Sequence, residues 1–289
     1  MDNIIALREE LVNKSYRHGG YHAFKINDPK PRQIHKATVR DRIVHRAIYR
    51  QLYPFFNSKF IADSYSCRNK RGTHKAVNRF RQFAYKVSQN NTRTCSVLQC
   101  DIKRFFDNID QAILFEILSK YIKDSDAIWL LEKVVYSFNS GKRGKGLPLG
   151  NLTSQLLVNI YMNEFDQIIK CQLGIKWYVR YADDFAILSE DREFLEKLIP
   201  EIANYLEDRL RLFLHPDKVT IKTLASGVDF LGWIVFPDHR IMRTKTKNRM
   251  IKRLQSNKSS QTLNSYLGLL SHGNTKKLRS RILNHVRQV

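Results

Sequence analysis

Apolar positions along the chain recur at two periods, and the changes between them mark out its elements. In "ATVRDRIVHRAIYRQLYPFF", Val39, Ile43, Val44, Ala47, Ile48 and Leu52 return at helical spacing, after prolines at 29 and 31 that favour extended backbone. "SVLQCDIKRFF" carries β-branched and aromatic residues without Gly or Pro, which predicts a strand. Asp110 then stands where an N-cap belongs, before "QAILFEILSKYIK", whose Ile113, Leu114, Ile117, Leu118 and Tyr121 share one helical face. The Gly-rich "GKRGKGLPLGNLTS" predicts a loop, and "QLLVNIYMNEFDQIIKCQL" a helix after it. "WYVRYADDFAILS" predicts a hairpin reversing at Ala182 to Asp184, and "DREFLEKLIPEIANYLEDRLRL" a further helix. Short strands in "VTIKTLASGVDFLGWIVFPDHR" and a mainly helical tail from Met242 complete the pattern. Irregular alternation of this kind predicts an α+β fold, an antiparallel sheet with helices on one face.

Composition makes the chain globular: 289 residues at 43% hydrophobic support a large core in two or three subdomains. No apolar run reaches membrane-spanning length, and "MDNIIALREELVNK" is charged where a signal peptide is apolar, so a cytoplasmic location is expected. The four cysteines form no C-x-x-C pair, which indicates neither a disulfide framework nor a zinc site. Charge changes the picture most. Fifty Lys and Arg against 27 Asp and Glu give +23, more than solubility requires, and point to a polyanionic partner such as nucleic acid. The charge is uneven: no acid follows Asp238, and a second basic block runs from Lys14 to Arg50.

Against that background Asp183 and Asp184 interrupt an apolar run, and Asp101 lies in strand-like sequence. A fold pairing those two strands brings three carboxylates together, where they repel one another unless a cation offsets them. Mg²⁺ suits such a site, since it takes one or two carboxylates plus substrate phosphates, with Mn²⁺ as a substitute. Two ions there would serve an in-line displacement at phosphorus. Each acid also has an ordinary reading, as a solvated turn or a side chain bonded to backbone.

These residues resemble a known family. "YADD" between apolar strands resembles the YxDD box of reverse transcriptases, and "LQCDIKRFFDNID" is similar to the first catalytic-aspartate motif of that palm. "GLPLGNLTSQLLVNIY" resembles the nucleotide-binding loop and helix, and "VDFLGW" the primer-grip hairpin. "LPLGNLTSQ", "INDPKPRQI" and "DSYSCRNKRGTHKAV" are similar to diversity-generating retroelement reverse transcriptases. The resemblance implies a right-hand polymerase with fingers over 1–95, palm over 96–236 and a basic helical thumb over 237–289. It further implies an error-prone copy of a template-repeat RNA made from dNTPs on a primer, with an accessory variability determinant as protein partner. Two alternatives stay open: a retron-type or phage-defence reverse transcriptase with its own non-coding RNA, and a non-catalytic RNA-binding scaffold.

Carried over by motif, Asp101 and Asp183 would ligate both ions and Asp184 would complete the set or tune its neighbour. Arg32, and more loosely Lys30, would clamp the triphosphate, if they are not solvated surface charges. Phe106 matches the ring that excludes a 2′-hydroxyl, unless it packs in the core as one of the pair with Phe105. Leu149 stands where retroviral polymerases carry Gln, and an aliphatic side chain there weakens discrimination. Gln155 and Ser154 are candidate contacts to nucleotide or template, Ser154 alternatively a cap. Lys218 would be a general acid near the pyrophosphate or a surface lysine. Phe230 and Trp233 would form the primer grip or simply pack a hairpin. The tail would bind phosphates, with affinity falling steeply in salt.

Overall fold

The computed structural model describes residues 2–27, 31–257 and 259–287. Helix α1 (Asp2–Val12) precedes an antiparallel hairpin of β1 (Tyr21–Ile26) and β2 (Arg32–Ala37). Helix α2 (Val39–Lys59) starts where Thr38 accepts a hydrogen bond from the Asp41 amide, and α3 is Thr73–Val87. Strand β3 (Ser96–Asp101) is followed by the single turn α4 (Phe105–Asn108), α5 (Gln111–Tyr121) and α6 (Ser125–Val135). Asp110 caps α5, accepting from the amides of Ala112 and Ile113. Helix α7 (Leu152–Gln167) runs into a π-helical turn at Ile168–Gln172, and the hairpin β4 (Tyr178–Tyr181) and β5 (Asp184–Ser189) leads to α8 (Arg192–Leu210). Strand β6 (Thr220–Thr223) precedes the small strands β7 (Val228–Phe230), β8 (Trp233–Val235) and β9 (Arg240–Met242). The tail forms α9 (Thr244–Ser256), α10 (Ser260–Leu270) and α11 (Lys276–Arg287).

The strand expected over "SVLQCDIKRFF" stops at Asp101. Beyond it Ile102 bridges Leu214, the Lys103 amide bonds to the Phe213 carbonyl, and Arg104 takes a left-handed φ of 47° that turns the chain into α4. Those bonds to the segment after α8 replace sheet pairing.

The main sheet is antiparallel in the order β4-β5-β3-β6. Side chains alternate across it. Leu98, Cys100, Tyr178, Phe185 and Ile187 face a core shared with Leu156 and Phe165 of α7 and Leu195, Leu198, Ile202 and Leu206 of α8. Val97, Val179, Ala186 and Leu188 face the other way, against Val77, Phe80, Phe83 and Ala84 of α3 and the apolar residues of the β7-β8-β9 sheet. One helical face was expected; the strands are apolar on both, so both are covered. Each Leu or Phe so buried contributes roughly 1.5–3 kcal/mol. Leu7, Tyr16, Val44, Ile48, Leu131 and Val134 close a third cluster where α1, α2 and α6 meet. No described helix is long and apolar enough to cross a membrane. All four cysteines are free; burial pushes the thiols of Cys95 and Cys100 up to about 12, which keeps them unreactive.

Candidate active site

The pairing of β3 with β5 sets Asp101 directly opposite Asp184. The β4–β5 reversal is made by Ala182, in the left-handed region at φ 56°, and Asp183 follows it. The three acids therefore meet at one end of the sheet. Lys218 joins them: its Nζ donates to Asp101 Oδ1 at 2.8 Å. It is delivered by the 3₁₀ turn Pro216–Lys218, which hangs from Asp101 itself, because the His215 amide donates to the Asp101 carbonyl at 2.8 Å. A surface-lysine reading of Lys218 does not describe this contact.

The acids are left short of positive charge. Burial raises the Asp183 carboxyl above its ordinary range and the charge of Asp101 adds to this, while Lys218 and Arg32 pull it down. Asp184 is reached by solvent but crowded by protein. That crowding pushes its carboxyl up to about 7, helped by the charge of Asp183 and by a hydrogen bond and repulsion from Asp101, with Lys218 opposing. Among the described residues no group of three His, Cys, Asp or Glu side chains is arranged to enclose an ion. The site instead offers three neighbouring carboxylates, of which Asp183 and Asp184 have a raised proton affinity and Asp184 is open to solvent. That donor set fits a hard divalent cation whose remaining ligands are water and substrate oxygens.

Beneath the turn lies a feature that motif reading passed over. Arg180, fully buried, grips both oxygens of Asp166 on α7, Nε to Oδ1 at 2.7 Å and Nη2 to Oδ2 at 2.6 Å. Its Nη1 donates to the Ala182 carbonyl at 2.9 Å and its Nη2 to Ser64 Oγ at 3.2 Å, while Tyr178 OH donates to Asp166 Oδ1 at 2.7 Å. Burial works most strongly against the charge on Arg180, but attraction and hydrogen bonds from Asp166, with Tyr178, outweigh it and hold the guanidinium charged. The pair thus fastens the left-handed corner that carries Asp183 to α7. The available signal was one Arg in an apolar strand and one Asp in an apolar helix, since ionised groups in such places are paired.

The Gly-rich loop is fastened to the first hairpin. The His35 amide donates to the Leu149 carbonyl at 2.9 Å, Asn151 Nδ2 donates to the His35 carbonyl at 2.6 Å, and the Ala37 amide donates to Asn151 Oδ1 at 3.2 Å. Gly150, at φ 107°, admits Ile34 so closely that a Cβ there would lie 2.6 Å from its methyl. This fixes β2, which begins with the exposed Arg32, beside the loop, and Arg32 acts electrostatically on Asp183. Phe105 goes to the core and Phe106 stays half-buried, its carbonyl accepting from the Leu147 amide at 2.9 Å. Leu149 and Gln155 are half-buried nearby in sequence on this loop and helix. Ser154 is 1% exposed inside α7, whose N-cap is Asn151, so it is not the cap. Lys30 lies outside the described residues.

Phe230 and Trp233 are each 2% exposed. Phe230 stacks on Phe80 with centroids 4.9 Å apart, and Arg240 sits 5.2 Å from the Trp233 ring. Strand alternation turns both toward α3, so their direct contact with a primer is corrected to a packing role. The tip of this hairpin, Leu231 and Gly232, is half-buried and left-handed at φ 52° and 88°, with Leu231 packed against the same core.

An antiparallel sheet ending in clustered carboxylates, with an arginine-bearing hairpin beside them and a basic helical tail, is the plan of a right-hand polymerase. Residues 25–235 match the family described as reverse transcriptase (RNA-dependent DNA polymerase), and the chain belongs to it. It is 28% identical to protein YkfC of Escherichia coli, over 83% of this chain and 71% of that one. It is 30% identical to the group II intron-encoded protein LtrA of Lactococcus lactis, over 85% of this chain but only half of the relative. Its fold is similar to telomerase of Candida tropicalis solved with a fragment of telomeric RNA, at a TM-score of 0.56 and 13% identity, over 97% of this chain and 56% of that one. The chain is therefore of the RNA-directed DNA polymerase class, for which membership implies dependence on a divalent metal in general.

Proposed function

We propose that the chain copies a template RNA into DNA by adding dNTPs to a primer, with Asp101, Asp183 and Asp184 holding two Mg²⁺ ions. The observation that carries this reading is the register of Asp101 opposite Asp184, with Lys218 2.8 Å from Asp101. Bound ions would neutralise charge on the primer hydroxyl and the triphosphate. The chain's own residues supply the rest. Arg32 binds triphosphate oxygens through its planar fork, with Lys30 beside it in sequence. Lys218 holds a proton at Nζ for the departing pyrophosphate. Phe106 lies as a flat ring beneath the sugar and leaves no room for a 2′-hydroxyl, Leu149 meets the nucleotide by shape alone, and Gln155 contacts nucleotide or template from α7. The Leu231–Gly232 tip supports the primer end. Residues 1–95, 96–236 and 237–289 act as fingers, palm and thumb in the cytoplasm.

For biological role we infer a diversity-generating retroelement: a template-repeat RNA, error-prone cDNA and a small basic accessory protein. Its support is "LPLGNLTSQ" and the aliphatic Leu149. Sequencing the cDNA separates this from a retron-type enzyme, because substitutions concentrated at template adenines belong to the first and faithful copies to the second. The polymerase itself is tested by Asp183→Asn. Incorporation of dNTPs in Mg²⁺ is expected to vanish while RNA binding persists; undiminished incorporation would remove the acids from the chemistry.

A further inference from the structure

Two long helices expose charge in different ways. On α8 the exposed charges are of both signs and four of them pair at i,i+4, Arg192 Nε with Glu196 Oε1 at 2.8 Å and Lys197 Nζ with Glu193 Oε2 at 4.0 Å. That is a solvated face. Helix α2 has a single acid, Asp41, which is fully buried and bonded to Tyr16, Thr38 and Gly19. Its exposed side carries Arg42, Arg46 and Arg50, and among the described residues no salt bridge includes any of them. Like charges at this spacing destabilise a helix, so the pattern needs a reason.

The three arginines stand in one file, about 6 Å apart from each to the next along the helix axis. They rim a groove of about 410 Å³ whose floor is Val39, Ile43 and Ala47, with Val39 67% and Ile43 43% exposed. The inner side of the same helix buries Val44, His45, Ile48, Tyr53 and Phe56, and among the described residues the outer face, with Val39, Arg42, Ile43, Arg46, Ala47 and Arg50 all exposed, is left uncovered.

We propose that the outer face of α2 binds the sugar–phosphate backbone of an RNA strand continuing beyond the catalytic acids. The identity of that strand rests on the reverse transcriptase reading. Evenly spaced guanidinium forks suit successive phosphates, and the aliphatic floor takes ribose or base faces. An acidic partner helix fits less well, because its seam needs a broader apolar stripe than Val39, Ile43 and Ala47 provide.

The test is the salt dependence of binding to fluorescein-labelled oligouridylate. In the triple variant Arg42→Gln, Arg46→Gln, Arg50→Gln, the slope of log affinity against log salt should be shallower by about 2, from three single-strand phosphate contacts. Lysine at the same three positions should restore the slope, which a purely structural role for arginine would not. Melting temperature should be unchanged or higher, since repulsion is removed. Extension of a short primer–template whose template overhang is only a few nucleotides long, too short to reach the arginine file, should proceed at the wild-type rate. An unchanged slope overturns the proposal, as does an equal loss of short-template extension, which would place the arginines in the polymerising cleft. A slope unchanged for RNA with lost binding of an acidic amphipathic peptide also overturns it. Failure of the polymerase reading would show separately, as absent incorporation by the wild-type chain.

Discussion

Asp166 and Asp184 both meet β4, the first through Arg180 and the second opposite Tyr181, and their surroundings treat charge in opposite ways. Asp166 is fully buried and answered by a fork of Arg180 nitrogens at 2.6 and 2.7 Å together with the Tyr178 hydroxyl. Asp184 stands with Asp101 and Asp183 around one partly exposed ammonium, and its carboxyl is driven up to about 7, by crowding first and then by its acidic neighbours. The first centre is complete within the chain. The second lacks positive charge that the fold could have supplied, in a protein of net charge +23. The contrast separates an ion pair answered within the chain from a cluster of acids that is not, and Arg180 links the two through the Ala182 carbonyl.

The largest effect should come from breaking the complete centre. Asp166→Asn leaves Arg180 buried without its counter-charge and should lose about 3–5 kcal/mol in denaturant melts. A double change to Leu at Asp166 and Met at Arg180 should recover most of that stability. Turnover should still stay low in the double variant, because the Ala182 carbonyl has lost its donor; full recovery of turnover would detach the pair from the catalytic corner. A smaller change, Phe106→Ala, removes a half-buried ring and should lower the preference for deoxynucleotides at least about tenfold. Steady-state incorporation of each dNTP against its ribonucleotide measures this, and unaltered selectivity would return Phe106 to simple packing.

Much of this was legible in the sequence, and the exceptions share a cause. Strand and helix periods marked β3, β5, α5, α7 and α8, and the resemblance brought Asp101 to the Asp183–Asp184 corner. Spacing said nothing of Lys218, which meets Asp101 across 117 residues. Nor did it say which side of β7 and β8 faces α3, and that decides that Phe230 and Trp233 are buried while Leu231 and Gly232 at the tip are half-buried. Arg180 was hidden differently. It read as one more cation in a basic chain until its partner on α7 was visible.

The central claim is that Asp101, Asp183 and Asp184 form a centre short of positive charge that a divalent cation completes. Thermal melts across pH, with and without Mg²⁺, test it most directly when wild type is compared with Asp184→Asn. The unfolded Asp184 carboxyl loses its proton near 3.8 and the folded one near 7, so without metal its contribution makes the fold less stable as pH rises between those values and constant above them. Mg²⁺ must displace that proton, so it should raise the wild-type melting temperature more at pH 8 than at pH 6, and both trends should be clearly smaller in Asp184→Asn, where Asp101 and Asp183 remain. Identical pH and Mg²⁺ responses in the two proteins would contradict the account.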